Sequence, residues 1–306
     1  MPDPWLYLLA IGSAALASMI CMLAMDWLWK SASKETRSPL ASVVGIAAGL
    51  VAGYAMLRMR ITFPPVNGLD RLLVVVLPLA IGIELLAVWE RAPRRLIWSL
   101  RMLLVASLGR ILLHGSVYLA GDDPEWTFWQ ALGILTVCAV STALLWGSLA
   151  WLGERSSPSI SVTLSLAMTI VCSGLAIMLA GYVKGGAAAL PLGATLVSVV
   201  ALQRFLIREP NPQASVGVGI VGLSGLLIIG RFFGALTTGV VGVLLLAPLL
   251  CWVTELPGLR GRPAWVVGTL RLLLVAIPLA VVLWLAKLEL DRHTAPLLSQ
   301  HGYRIE

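Results

Sequence analysis

The chain has 306 residues, 59% of them hydrophobic and 12% charged, and its 22 Lys and Arg against 15 Asp and Glu give a formal net charge of +7. An ordinary globular protein is about 25% charged, and a soluble chain this apolar could not cover its surface with polar groups. Composition therefore excludes a disordered chain, a secreted disulfide scaffold and a cytosolic enzyme on a short anchor, and leaves a polytopic membrane protein.

A helix needs about 20 mainly apolar residues to cross the hydrocarbon, and lipid accepts only spanning elements whose backbone is satisfied internally. That ruler predicts spans over Trp5–Leu28, Leu40–Leu57, Leu72–Trp89, Leu96–Ala120, Phe128–Leu152, Val162–Tyr182, Ala187–Leu202, Ser215–Ile229, Leu236–Trp252 and Trp265–Ala286. The seventh and eighth are short, so one of them could be re-entrant and the count is nine to ten. The expected fold is all-α, a polytopic transmembrane helix bundle with no soluble domain. Residues 1–287 form its single domain and 288–306 a short polar tail. Met1-Pro2-Asp3-Pro4 lacks a basic segment, so the first span is expected to be retained rather than cleaved.

Most prolines punctuate the connections, but Pro78, Pro191, Pro248 and Pro278 fall inside spans, where each removes an amide donor and should kink or loosen its helix. The 12 tryptophans lie near predicted helix ends, as rings that prefer the headgroup level should. From Leu152 to Cys251 there is no tryptophan and much Gly, Ala and Ser. The sixth to eighth helices are thus expected to be enclosed by protein. Basic residues gather mostly at span ends, where they meet lipid phosphates, so the positive charge reads as topology and not as a nucleic-acid surface. Their bias, with the acidic connection Asp122-Asp123-Pro124-Glu125 on the poorer side, places both termini outside the cytoplasm of a bacterial-type inner membrane. Cys21, Cys138, Cys172 and Cys251 are scattered in apolar runs with no metal or redox spacing, and no cofactor is expected.

Ala41, Gly45, Gly49 and Gly53 recur every four residues on the second helix, and Ala10, Ala14 and Ser18 do so on the first. Such ridges let backbones approach closely in lipid, either between these two helices or across a dimer seam. Gly217-Val218-Gly219-Ile220-Val221-Gly222 matches a dinucleotide fingerprint, but it opens an apolar run without the strand that the fingerprint requires, so it marks close helix contact. Leu100-Arg101-Met102-Leu103-Leu104-Val105-Ala106 echoes Leu270-Arg271-Leu272-Leu273-Leu274-Val275-Ala276, and Leu50 to Arg58 echoes Leu196 to Arg204 at a different offset, so no repeat is established.

Ionisable residues at membrane depth are the default functional candidates. Glu84 and Arg101 flank one tight connection, each about 8 Å inside the same interface at about 1.5 Å per residue. An antiparallel hairpin would pair them, either as a staple or as part of a site. On the fourth helix Ser99, Ser107, Arg110, His114 and Tyr118 share a face at helical spacing. Ser107, Arg110, His114 and Tyr118 are the candidate polar path for an anionic or polar solute, with a buried structural network as the alternative. Asp26, Arg231, Glu255, Arg271 and Lys287 lie near span ends and are expected to reach headgroups or pair locally.

Three functions fit. A small-solute transporter or permease explains helices without domains, kinking prolines and an intramembrane arginine. Size and helix count are similar to those of the drug/metabolite transporters, whose local likeness here is confined to Leu149-Ala150-Trp151-Leu152-Gly153-Glu154 and carries no family assignment. The alternative is a non-catalytic membrane subunit that anchors a larger complex, alone or as a homo-oligomer. A lipid-acting membrane enzyme is the third, though no catalytic motif is present. The bilayer itself is the partner that all three share.

Overall fold

The computed structural model describes residues 4–29, 34–59, 62–88, 92–119, 125–155, 160–204, 213–256 and 263–300. Among the described residues, ten helices are long and apolar enough to span a membrane: α1 (Pro4–Leu28), α2 (Ser38–Met56), α3 (Gly68–Val88), α4 (Arg94–Leu113), α5 (Phe128–Gly153), α6 (Ile160–Leu179), α7 (Val183–Leu202), α8 (Ala214–Phe232), α9 (Thr238–Glu255) and α10 (Ala264–Arg292). Among the described residues there is no strand. The chain is a multi-pass helical membrane protein whose outer helices meet lipid.

Alternation of ten spans puts the α1–α2, α3–α4, α5–α6, α7–α8 and α9–α10 connections at one end of the bundle, the near end, and the remaining connections at the far end. Helix α8 is the hub. It packs against α2 to α7 and α9, and 89% of its most apolar stretch is buried, against 78% for α7, 61% for α6 and 22% for α1 and α5. The tryptophan-free region is indeed the enclosed one. Glycine makes this possible, because an added Cβ at Gly219 would meet Leu166, one at Gly222 would meet Leu192 and one at Gly225 would meet Leu72, each within 2.5 Å. The glycine motif of α8 is a packing device.

The second-helix ridge is consumed within the chain. A Cβ at Gly45 would lie 2.5 Å from Met22, one at Gly49 2.2 Å from Thr195 and 2.7 Å from the Ala14 carbonyl, and one at Gly53 2.5 Å from Pro191. Ala41, Ala10, Ala14 and Ser18 are buried alongside. Helices α1 and α7 cover the ridge from two sides, which removes it as a dimer seam.

Three spans are irregular. In α3 a π turn, Leu72–Val76, joins Gly68–Arg71 to Leu77–Val88. It lies just before Pro78, whose missing amide and ring leave the preceding turn to widen. Helix α7 is built from Val183–Ala187 and Ala189–Leu202, and Pro191 falls in the first turn of the second piece, where amides are unpaired anyway. Helix α9 passes from α (Thr238–Leu246) to 3₁₀ (Ala247–Glu255) with Pro248 at the start of the tighter segment. Pro278, by contrast, sits in an uninterrupted helix that runs from Ala264 to Gln300, so helical structure continues into the polar tail expected from residue 288. With Lys184-Gly185-Gly186 folded into its helical start, α7 has full spanning length and needs no re-entrant path.

Candidate functional site: a buried polar belt at the near end

The α3–α4 hairpin brings Glu84 and Arg101 together. Arg101 Nε donates to Glu84 Oε1 at 3.0 Å and Nη2 donates to Oε2 at 2.7 Å, a side-on bidentate pair. Glu84 is 1% exposed and Arg101 5%. Both indoles of the neighbourhood receive the guanidinium, with its carbon 5.2 Å from the Trp98 ring centroid and 5.5 Å from that of Trp146. Such cation–π contacts strengthen where water is excluded. From α8, Gly217 supplies the floor. A Cβ there would stand 2.3 Å from Glu84 Oε1 and 3.0 Å from the Trp146 ring, so only glycine fits beneath the carboxylate.

Arg271 forms the second centre of the belt and is fully buried. Its Nε donates to Thr254 Oγ1 at 2.7 Å, Nη1 to Ser161 Oγ at 3.0 Å and Nη2 to Glu255 Oε1 at 2.8 Å. One guanidinium thereby ties α10 to α9 and α6. Between the two centres Thr163 of α6 and Ser215 of α8 face each other at 3.5 Å. At the same end Gln203 Nε2 of α7 donates to Ser42 Oγ of α2 at 2.7 Å. Polar groups from eight helices are thus gathered in one layer around the start of α8.

The fourth-helix stripe is not assembled. Helix α4 ends at Leu113, and Gly115 adopts φ +68°, a left-handed turn that favours glycine. Arg110 therefore lies in the last turn and is exposed, where the expectation of a helix reaching Ala120 had put it at mid-membrane depth. Ser107 Oγ donates to its own helix at Leu104 O, and Ser99 Oγ to Arg95 O. His114 is an exposed turn residue whose carbonyl accepts from Arg71 Nη1. Tyr118 turns to the far end of α8, donating to Phe232 O at 3.2 Å within a cluster with Trp126 and Phe232. Ser107, Arg110, His114 and Tyr118 do not line a common path, because a stripe needs a continuous helix.

The far end instead carries a cap of ordered connections. Asn67 caps α3 through the Asp70 amide, Thr62 donates to Asp70 at 2.6 Å, and Arg71 also donates to Val66 O. Burial, with the nearby Asp70 carboxylate, raises the Tyr182 hydroxyl above its ordinary range.

The sequence pattern places Arg271 merely near an interface and does not mark Trp98, Trp146, Ser161, Thr254 or the socket at Gly217 as parts of a site. The sequence carries one signal of it. Arg101 and Arg271 occupy the same place in the heptapeptide echo, and in each case Nε bonds a side chain 17 residues upstream. Among the described residues no cluster of three or more His, Cys, Asp or Glu comes together. Comparison with protein-family models, curated proteins and solved structures finds no match for this chain.

Proposed function

We propose that the chain is a small-solute transporter or permease, with the near-end belt, rather than the fourth helix alone, as its solute site. The observation that supports this reading is the Glu84–Arg101 pair, with both charges taken into a bundle where an apolar pair of similar volume would be at least as stabilising. It lies against the glycine-rich hub, whose bare surface permits neighbouring helices to shift. Irregular spans α3, α7 and α9 surround that hub, and broken helices near a polar site are a recurring feature of transporters.

The competing reading, a non-catalytic subunit of a larger membrane complex, draws on the Arg271 network, which looks inward and is bonded on all three nitrogens. Gentle purification from the native membrane tests the choice. The transporter reading expects a monomer or homo-oligomer that catalyses solute flux in liposomes, with flux abolished by Arg101→Leu and retained by Arg110→Ala. A stoichiometric hetero-complex without flux would favour the subunit.

A further inference from the structure

Arg101 and Arg271 differ in what their guanidinium groups leave over. An arginine has five N–H donors. Arg271 uses Nε, Nη1 and Nη2. Arg101 commits Nε and Nη2 to Glu84, and its Nη1 has no hydrogen-bond partner among the described residues. That unused nitrogen lies on a cation flanked by two indoles and bound to a carboxylate in the geometry that selects carboxylates generally. Glu84 is four residues from the last residue of α3, about 6 Å at helical rise, so the pair lies about one helical turn inside the near end.

Charge balance decides what such a solute must be. The pair is neutral as it stands. Within Ser38–Met56, Gly68–Val88, Arg94–Leu113, Phe128–Gly153 and Ala214–Phe232 the charged groups at this end are Glu84, Arg101 and the exposed Arg94 and Arg95, while α5 presents Trp146 and α8 presents Gly217. Protonating Glu84 converts its carboxylate to a neutral acid, weakens its hold on Nε and Nη2, and leaves a buried cation. An unpaired buried cation is costly, and an incoming anion of the shape Glu84 presented removes that cost. Proton binding and carboxylate binding at this place must then favour one another, and linkage makes the effect reciprocal.

We propose that Glu84 and Arg101 form a combined site for a proton and an organic carboxylate, the proton taken by Glu84 and the carboxylate by Arg101, so that the two ligands load together without net charge. This names the substrate class and coupling ion of the transporter reading and rests on it. No covalent bond is made or broken; a proton from solution is held on a Glu84 oxygen and returns when the carboxylate leaves.

The test uses the full chain in lipid nanodiscs with acetate, butyrate and decanoate as probes and butyramide as the uncharged control. Trp98 and Trp146 report on Arg101 through fluorescence, proton uptake is read in weakly buffered medium, and infrared difference spectra read the carbonyl stretch of a protonated carboxyl. The expected result is uptake of a proton for each carboxylate bound, with apparent affinity rising about tenfold per unit fall in pH while Glu84 titrates. Glu84→Gln should bind carboxylate with no proton uptake and no pH dependence. If that variant does not fold, the wild-type infrared band appearing on addition of butyrate carries the same information. Affinity that climbs with chain length assigns the ligand to fatty acid from the bilayer, and equal response to acetate assigns it to the aqueous phase. Binding without proton uptake, an equal response to butyramide, or silence from folded wild-type protein towards all three carboxylates overturns the proposal. Proton-linked binding without flux would remove the transporter reading and keep the site, whereas flux indifferent to pH and to Glu84→Gln would do the reverse.

Discussion

Two arginines in matching places do different work. Each lies seven residues after the first residue of its helix, Arg94 in α4 and Ala264 in α10, and each reaches back across a hairpin to a side chain 17 residues earlier. At that upstream position α3 carries a glutamate on a regular α turn, which meets the guanidinium with both oxygens. Helix α9 carries Thr254 on a 3₁₀ turn, and the tighter winding brings the next residue, Glu255, within reach as well. Arg271 therefore ends in a closed network across three helices, while Arg101 ends in a charge pair with one nitrogen spare. Similar local sequence has produced a closed network in one hairpin and a two-residue charge pair in the other, and the neighbouring helix decides which. Ser161 of α6 closes the first, whereas Gly217 of α8 offers the second no side chain.

The largest expected effect comes from breaking the closed network. Arg271→Ala leaves the buried Thr254 and Ser161 and the part-exposed Glu255 without their shared donor, and each buried polar group left unsatisfied costs about 1–3 kcal/mol. Fluorescence-detected size exclusion after a heating series should show a large loss of folded protein. A variant that keeps wild-type thermal stability would contradict this role of the network. Next comes Gly217→Ala, whose methyl would press on the Glu84 carboxylate at 2.3 Å. Overpacking of about 1–3 kcal/mol is expected, with altered Trp98 and Trp146 fluorescence. Gly147→Ala is the control, since nothing lies within 4 Å of a Cβ there. Gly49→Ala should cost a similar amount to Gly217→Ala because Thr195 and the Ala14 carbonyl crowd the site. It should lower the melting temperature without changing the oligomeric state measured by light scattering, and a change of oligomeric state would return the ridge to a seam. Smallest is Arg110→Ala, an exposed residue in a last turn, expected within about 0.5 kcal/mol of wild type. A strong loss of stability or flux in that variant would restore the fourth-helix path.

Legibility varied by distance along the chain. The Glu84–Arg101 contact could be anticipated because both residues belong to one hairpin, and helical rise alone sets their depth. Arg271 was hidden for two reasons. Thr254 is not an ionisable residue, so no charge pattern pointed to it, and Ser161 is 110 residues away in sequence. The fourth-helix stripe failed because apolar residues continue past Leu113, while the turn that ends the helix depends on Gly115 and on the His114 carbonyl, which accepts from Arg71 of α3.

What the residues determine on their own is the solvent. Long apolar runs, few charges and interfacial tryptophans require a helical bundle in hydrocarbon, since no other fold satisfies that many backbone groups there. Tertiary structure alone decided which helix became the hub and which buried arginine kept a nitrogen unbonded. Those outcomes depend on where bare glycines meet side chains from distant spans, and spacing along one helix carries no record of what stands opposite.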